Sequence, residues 1–340
     1  MKLYLDNGFV NIEYCLKYNC PFTFVIGGRG TGKTFGAQKY AIENNKIFML
    51  MRRMQAQTDL ISKKEFSPVN PVMSFLHLYP IIENASKYNG VIYSAENEES
   101  EEYTLRGYTS ALSTFSNLRG FDGSNISLLI FDEFIPELHE RPIKAEGDAF
   151  FNVYETINRN RELQGEEALH ALMLSNSNSI TSPILDSLGL TSVVERMQKR
   201  QQSEYINQEK GIAIFLLFNS PISAQKSNTA LYKATKGSNF ERMAIDNSFA
   251  YDDMTDVKSI PLNSGWKLYI QLGDIFIYVK NDLWYISEHN NGVAPKKYDA
   301  TELGYRKFIR DYPNTYHRIL NHKIIYENYS IKKQLTSMYI

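Results

Sequence analysis

Residues 22–34 read Phe22-Thr23-Phe24-Val25-Ile26-Gly27-Gly28-Arg29-Gly30-Thr31-Gly32-Lys33-Thr34. The first five are β-branched or aromatic, the composition of a buried strand. The rest is rich in glycine and ends on a lysine and a threonine. In Phe35-Gly36-Ala37-Gln38-Lys39-Tyr40-Ala41-Ile42-Glu43 the apolar side chains then recur at helical spacing. The order is strand, glycine loop, helix. The loop satisfies G-x-x-x-x-G-K-[ST], which a chain of this composition contains by chance roughly one time in a hundred. The chemistry explains the residue types. Glycines let successive backbone N–H groups turn inward as an anion nest, and the helix N-terminus adds its positive dipole end. Gly27, Gly28, Arg29, Gly30, Thr31, Gly32, Lys33 and Thr34 are the candidate nucleotide-binding residues. Lys33 is expected to reach the β- and γ-phosphates of ATP, and the Thr34 hydroxyl to ligate Mg²⁺. The bland alternative is a glycine-rich turn that binds nothing, and the flanking strand and helix argue against it.

Outward from the loop, residues 46–51 read as the next strand and end at Arg52-Arg53. Residues 91–95 and 103–105 suggest a hairpin around the acidic run 96–102, whose simplest reading is a solvated loop. Ile126-Ser127-Leu128-Leu129-Ile130-Phe131 is a buried strand by composition, closed by Asp132-Glu133. Residues 149–161 have helical periodicity, and 168–174 form another apolar strand ending in Ser175-Asn176. Alternating strands and helices predict a mainly parallel α/β sheet. Asp132 is the expected second Mg²⁺ carboxylate and Glu133 the expected group that polarises the attacking water; the plain alternative for Glu133 is a polar strand end. Ser175 and Asn176 are candidate γ-phosphate sensors, against the plainer reading of a strand-end cap. Arg159 and Arg161 end a helix, where arginine often only satisfies the helix dipole; the functional reading is a trans arginine finger. Arg29 either touches the γ-phosphate or fixes the loop by ion pairing. Arg52 and Arg53 fall on the nucleotide side of a parallel sheet, as coupling residues or as plain ion pairs.

Beyond residue 184 the pattern changes. Residues 184–208 are mostly helix formers with a basic stretch at 196–200, and 211–218 read as a strand. Residues 219–264 are rich in Ser, Asn and Asp. Residues 266–272, 274–280 and 283–287 suggest short antiparallel strands with tight turns at Gly273 and Asn281-Asp282, and 300–340 a helical tail interrupted near Pro313. The division expected is an ATPase domain at 1–205, a linker region at 206–255 and a small α+β domain at 256–340. At 340 residues two domains are the natural reading. With 37 Lys and Arg against 38 Asp and Glu, a generally basic nucleic-acid coat is excluded, so any DNA contact is local. Cys15 and Cys20 form neither a disulfide framework nor a zinc site. The start lacks a signal-peptide pattern, and the longest apolar run, 212–218, is too short to cross a bilayer. His77, His139, His170, His289, His317 and His322 show no ligand spacing.

These segments together resemble the DNA-packaging ATPases, or encapsidation proteins, of small short-tailed phages with protein-primed linear genomes. The residues that carry the resemblance are 24–34, the strand ending Arg52-Arg53, Ile130-Phe131-Asp132-Glu133-Phe134-Ile135, Asn158-Arg159-Asn160-Arg161-Glu162 and Leu174-Ser175-Asn176, with weaker similarity from Gly237 to Phe249. The resemblance implies an additional-strand, catalytic-Glu P-loop ATPase working as a homomeric ring, expected to be a pentamer. It implies a seat on the portal vertex of a prohead, double-stranded DNA as cargo, and often a structural RNA on the prohead. The protein is then expected in the host cytoplasm, transiently at the portal, and absent from the mature virion. The resemblance assigns Arg159 as the trans finger, with Arg161 a second candidate. It makes the last domain a degenerate RNase H-like nuclease; Asp256, Asp274, Asp282 and Glu288 offer no convincing acidic triad, so no nuclease activity is expected. One departure is the neutral Met54-Gln55-Ala56-Gln57, where relatives tend to carry a basic residue. DNA grip is expected on phosphates, with 196–200 and Lys63-Lys64 as guesses. The rival readings are a ring helicase or DNA-transfer ATPase, and a nucleotide-dependent phage assembly factor. A P-loop kinase is disfavoured by Glu133 and by the lack of an arginine-rich lid.

Overall fold

The computed structural model describes residues 1–118, 121–137, 140–141, 143–245, 249, 252–262 and 265–339. The chain divides into two compact units, residues 1–188 with 196–251, and residues 189–195 with 252–340.

The first unit is built on a nine-stranded sheet. Its strands are β1 (Phe22–Ile26), β2 (Phe48–Arg52), β3 (Tyr79–Asn84), β4 (Gly90–Ala95), β5 (Thr104–Ala111), β6 (Leu128–Asp132), β7 (His170–Ser175), β8 (Glu204–Asn207) and β9 (Ile212–Leu216). The order is β3-β4-β5-β2-β6-β7-β1-β9-β8. The six strands from β5 to β9 run parallel, while β3, β4 and β8 are antiparallel additions at the edges. This follows from sequence. β1, β2, β6, β7 and β9 are almost continuous apolar runs buried on both faces, as parallel strands covered by helices must be. β7 lies between β1 and β6, so one strand separates the glycine-loop strand from the strand that ends in the Asp-Glu pair. The register puts Ile26 beside Ser175 and Asp132 beside Leu174. The carboxyl ends of β1, β2, β6 and β7 therefore open on one crevice, where open α/β sheets bind ligands.

Two expectations are corrected here. The strand expected at 211–218 is β9, paired along its length with β1, so the sheet unit does not end near 205. Residues 219–245, expected as linker, carry three short helices, Pro221–Lys226, Ala230–Ala234 and Asn239–Ala244. The polar residues that gave this stretch its loop-like composition stand at helix N-caps: Ser220, Thr229 and Ser238. The expected helix 184–208 is also two helices, Pro183–Ser187 and Thr191–Arg200, followed by β8. The hairpin expected at 91–105 is β4 and β5, and β3 extends it.

The second unit holds β10 (Lys267–Leu272), β11 (Ile275–Lys280), β12 (Leu283–Ser287), β13 (Lys296–Tyr298) and β14 (Ile324–Tyr326) in the order β13-β10-β11-β12-β14. The three expected strands form the antiparallel centre. β13 and β14 flank it in parallel. The tail is not wholly helical: helices Glu302–Asp311, Thr315–Leu320 and Tyr329–Thr336 surround β14. Ile270, Ile277, Ile286, Phe308, Ile331 and Leu335 form the buried core. No helix among the described residues is long and apolar enough to cross a membrane.

Candidate functional site

The glycine loop leaves β1 and turns into the helix Lys33–Glu43. Gly30 and Gly32 hold φ of 68° and 86°, values that side chains with a Cβ avoid. Loop shape is fixed from several sides. Gly27 N donates to Ser175 O at 3.1 Å and Val10 N to Thr31 O at 3.0 Å, and Thr31 Oγ1 donates to Gly28 O at 3.0 Å. The loop rims a cavity of about 330 Å³ whose lining includes Lys33, Thr34, Asp132, Glu133, Ser175 and Asn176.

Lys33 is buried and its ammonium lies in the cradle. Nζ donates to Gly27 O at 2.8 Å and Gly28 O at 2.9 Å, and sits 3.4 Å from Asn176 Oδ1. Burial, reinforced by Lys226 and Arg29, pulls its pKa down to about 7 against the pull of Asp132 and Glu133. An ammonium so poorly solvated is a strong partner for a polyanion. Thr34 Oγ1 donates to Asp132 Oδ2 at 2.9 Å. Asp132 ends β6, and burial raises its carboxyl pKa while Arg52 opposes the rise. A hydroxyl and a carboxylate touching at the rim of the glycine-loop cavity are hard oxygen donors of the kind Mg²⁺ takes, so the residues present fit that ion.

Glu133 follows with φ of 65°, a left-handed turn that costs a non-glycine residue about 1–2 kcal/mol. The turn is held by Glu133 N and Phe134 N, which donate to Leu174 O at 2.8 and 3.2 Å, and by Phe134 packed edge-on against Phe24 at 5.5 Å. It brings the Glu133 carboxylate to Arg52. Arg52 Nη2 is 2.8 Å from Asp132 Oδ2 and Nη1 is 2.5 Å from Glu133 Oε2, so one guanidinium clasps both carboxylates.

The other candidates separate. Ser175 Oγ accepts from Ile135 N at 3.3 Å and steadies the turn after β6. Asn176 faces Lys33. Arg29 pairs with Glu137, the loop-fixing alternative of its two readings. Arg53, paired in expectation with Arg52, follows the end of β2 and turns its side chain away from Asp132 and Glu133. It is fully buried, with Nε and Nη2 at 2.7 and 2.8 Å from the two Glu146 oxygens and Nη1 on Glu140. Glu140 also accepts from Gln57 Nε2 at 2.7 Å, which draws the neutral 54–57 stretch into this structural network. Arg161 departs from the finger reading as well. It is buried, and its Nη2 donates to the carbonyls of Ser124 at 2.9 Å, Gly123 at 3.3 Å and Ile157 at 3.4 Å. Arg159 caps the helix Glu146–Asn158 with φ of 48°. Its guanidinium is about half exposed, 3.3 Å from Asp122, which is itself 68% exposed.

Two residues escaped the sequence reading. Glu137, beyond the Asp-Glu pair, holds Arg29. Lys226, in the stretch expected as linker, donates from Nζ to the Arg29 carbonyl. Neither belongs to a motif, so only the fold joins them to the loop.

Among the described residues no group of three or more His, Cys, Asp and Glu side chains is placed to hold a metal ion; His139 lies outside the described residues. Asp256 pairs with His322 at 2.7 Å, Asp282 with Arg318 and Lys323 at 3.2 and 2.9 Å, and Glu288 accepts from Asn328 at 3.2 Å. Arg196, Lys199 and Arg200 are exposed on their helix while Val194 and Met197 are buried. Lys64 Nζ donates to Tyr79 OH at 2.6 Å. The weak similarity at 237–249 falls partly on residues outside the described set.

Comparison with known proteins adds the following. The chain is 24% identical over 322 residues to the DNA packaging protein of Bacillus phage phi29, covering 91% of this chain and 88% of the relative. It is 26% identical over 254 residues to the DNA packaging protein of Bacillus phage B103, covering 73% and 70%. In fold it matches a chain of the bacteriophage phi29 viral genome packaging motor assembly, with a TM-score of 0.69 and 20% identity over 97% of this chain and 98% of the other. The family model described as podovirus DNA encapsidation protein (Gp16) matches residues 5–322. With nearly its whole length matched, the chain belongs to the podovirus DNA encapsidation protein family.

Proposed function

We propose that this chain is an ATPase that drives double-stranded viral DNA into a preformed prohead as a homomeric ring of five subunits. The observation that carries the reading is the joined cradle: Lys33 inside the glycine loop, Thr34 on Asp132 at 2.9 Å, and Glu133 turned to the same cavity. In this reading the loop N–H groups cradle the α- and β-phosphates, Lys33 reaches the β- and γ-phosphates, and Thr34 and Asp132 hold Mg²⁺. When bound, Mg²⁺ neutralises phosphate charge. Glu133 orients the attacking water and takes its proton. It must first leave Arg52, so Arg52 couples the state of the site to turnover. Ser175 and Asn176 report on the phosphates from the end of β7.

Arg159 acts from the neighbouring subunit as the arginine finger, a contribution of about 10³–10⁵ in rate. Its exposure and its weak pairing to an exposed Asp122 suit a group that must leave one chain for another. Grip falls on DNA phosphates, since packaging must accept any sequence. The second unit is read as a nuclease-derived domain without cleavage activity. The portal vertex, with or without a structural RNA, is the place of work, reached from the host cytoplasm and left before the virion matures.

The test is ATP turnover across protein concentration, with and without long duplex DNA, for the wild type, Lys33→Ala, Arg159→Ala and an equal mixture of the two variants. Turnover that rises steeply with concentration and DNA, with activity regained in the mixture, is the expected result. Turnover indifferent to both, with an inactive mixture, overturns the ring-motor reading.

A further inference from the structure

We propose that Lys226 is a positioning residue for the phosphate loop, setting the Arg29–Gly30 peptide so that the Gly30 N–H faces the cavity. This rests on the nucleotide-site reading above and adds to it a residue from outside every motif.

The argument starts from peptide geometry. A trans peptide is planar, with its C=O and N–H pointing in opposite directions. Lys226 Nζ holds the Arg29 carbonyl, so the Gly30 N–H must point the other way. Gly30 lines the cavity, and its nitrogen is one of those an anion nest needs. Nothing in Gly30 itself fixes that choice. With φ of 68° and no Cβ, it accepts either orientation of the preceding peptide at little cost. Lys226 therefore supplies from outside the restraint that glycine lacks.

The lysine is well placed to do so. It ends the helix Pro221–Lys226, and its ammonium lies 5.1 Å from the centre of the Tyr232 ring. Tyr232 is buried and stacked on Phe240 at 6.0 Å. The same segment meets the loop again at Gly28, where an added Cβ would come within 2.4 Å of Ala244 O, and it is tied to the chain just after β7 by Ser177, whose Oγ donates to Met243 O at 3.2 Å. The loop apex is thus held from two sides, by Glu137 on the Arg29 side chain and by Lys226 on the Arg29 main chain. Lys226 also adds positive charge beside Lys33, and burial holds its own pKa below the ordinary lysine range.

The consequence is specific. The loop N–H groups cradle the α- and β-phosphates, so losing the restraint should weaken ATP and ADP alike. It acts equally in ground state and transition state, so KM should move and kcat should not. The experiment is equilibrium binding of fluorescent ATP and ADP analogues, with steady-state turnover, to full-length wild type, Lys226→Met, Lys226→Arg and Lys33→Ala. For Lys226→Met we expect both nucleotides to weaken about tenfold, KM to rise in step and kcat to stay within about twofold. Lys226→Arg restores binding, and the thermal midpoint is unchanged. Wild-type affinity in a folded Lys226→Met overturns the proposal, as does a loss confined to ATP or a failure of arginine to rescue. If Lys226→Met does not fold, Lys226→Gln, polar but too short to reach the carbonyl, carries the same comparison. A wild type that binds neither nucleotide overturns the nucleotide reading itself. Wild-type binding abolished by Lys33→Ala but indifferent to Lys226 overturns only this inference.

Discussion

Arg52 and Arg53 are neighbours of the same type with opposite surroundings. Arg52 clasps Asp132 and Glu133 at the cavity, while Arg53 is buried against Glu146 and Glu140. Arg53→Met strands the Glu146 carboxylate in the interior, a loss of about 3–5 kcal/mol. Arg52→Met removes a pairing to Asp132, which keeps Thr34 as a partner, and to Glu133, which is partly exposed and keeps water. Urea unfolding followed by far-UV circular dichroism should therefore show a clear loss of stability for Arg53→Met and a smaller one for Arg52→Met, one of whose two partners is open to solvent. Turnover should show the reverse order, with DNA dependence altered only for Arg52→Met. Equal loss of stability in both variants would contradict the assignment. Sequence alone placed both arginines at a strand end. It could not say which one faced the site, because the buried carboxylate that claims Arg53 lies 93 residues downstream. Lys33, Thr34, Asp132 and Glu133 were legible because each must stand at the end of a strand or the start of a helix, and those ends are written locally.

At the scale of elements, legibility tracks length and environment. The strands that carry the site are buried apolar runs, and composition alone marks them. β3 was missed: Pro80 and the polar Glu83-Asn84 argue against a central strand, and β3 is in fact an edge strand, where proline is tolerated. The helices at 221–244 have five or six residues each, less than two turns, so no apolar period can establish itself. Yet this segment packs on the glycine loop. Gly28→Ala tests the contact. The added methyl would meet a backbone carbonyl at 2.4 Å, and backbone cannot swing aside as a long side chain can. We expect nucleotide affinity to fall more than about tenfold, since the loop or the segment must shift by an ångström or so and overpacking costs about 1–3 kcal/mol. Binding measured by titration within twofold of wild type would show that the segment yields freely.

At the scale of the molecule, the domain limit inferred from composition was about 45 residues too early, and pairing explains the difference. β9 covers one side of β1, so a chain stopped at 205 leaves β1 as an open, flat, apolar edge. Such edges recruit other strands. A fragment of residues 1–205 should elute as soluble aggregate or precipitate, whereas 1–251 should be monodisperse on size-exclusion chromatography; a well-behaved 1–205 fragment would contradict the topology. The same topology bears on how the chain is made. β1 is the first strand to leave the ribosome, but its two partners, β7 and β9, follow about 150 and 190 residues later. At 5–20 residues per second, β1 waits roughly 10–40 s for its second neighbour. During that interval the phosphate loop has no floor and its strand has an unpaired flank, so chaperone dependence during synthesis should fall on the N-terminal unit, and a slow codon stretch between β7 and β9 should lower the yield of soluble protein more than the same stretch placed after β9.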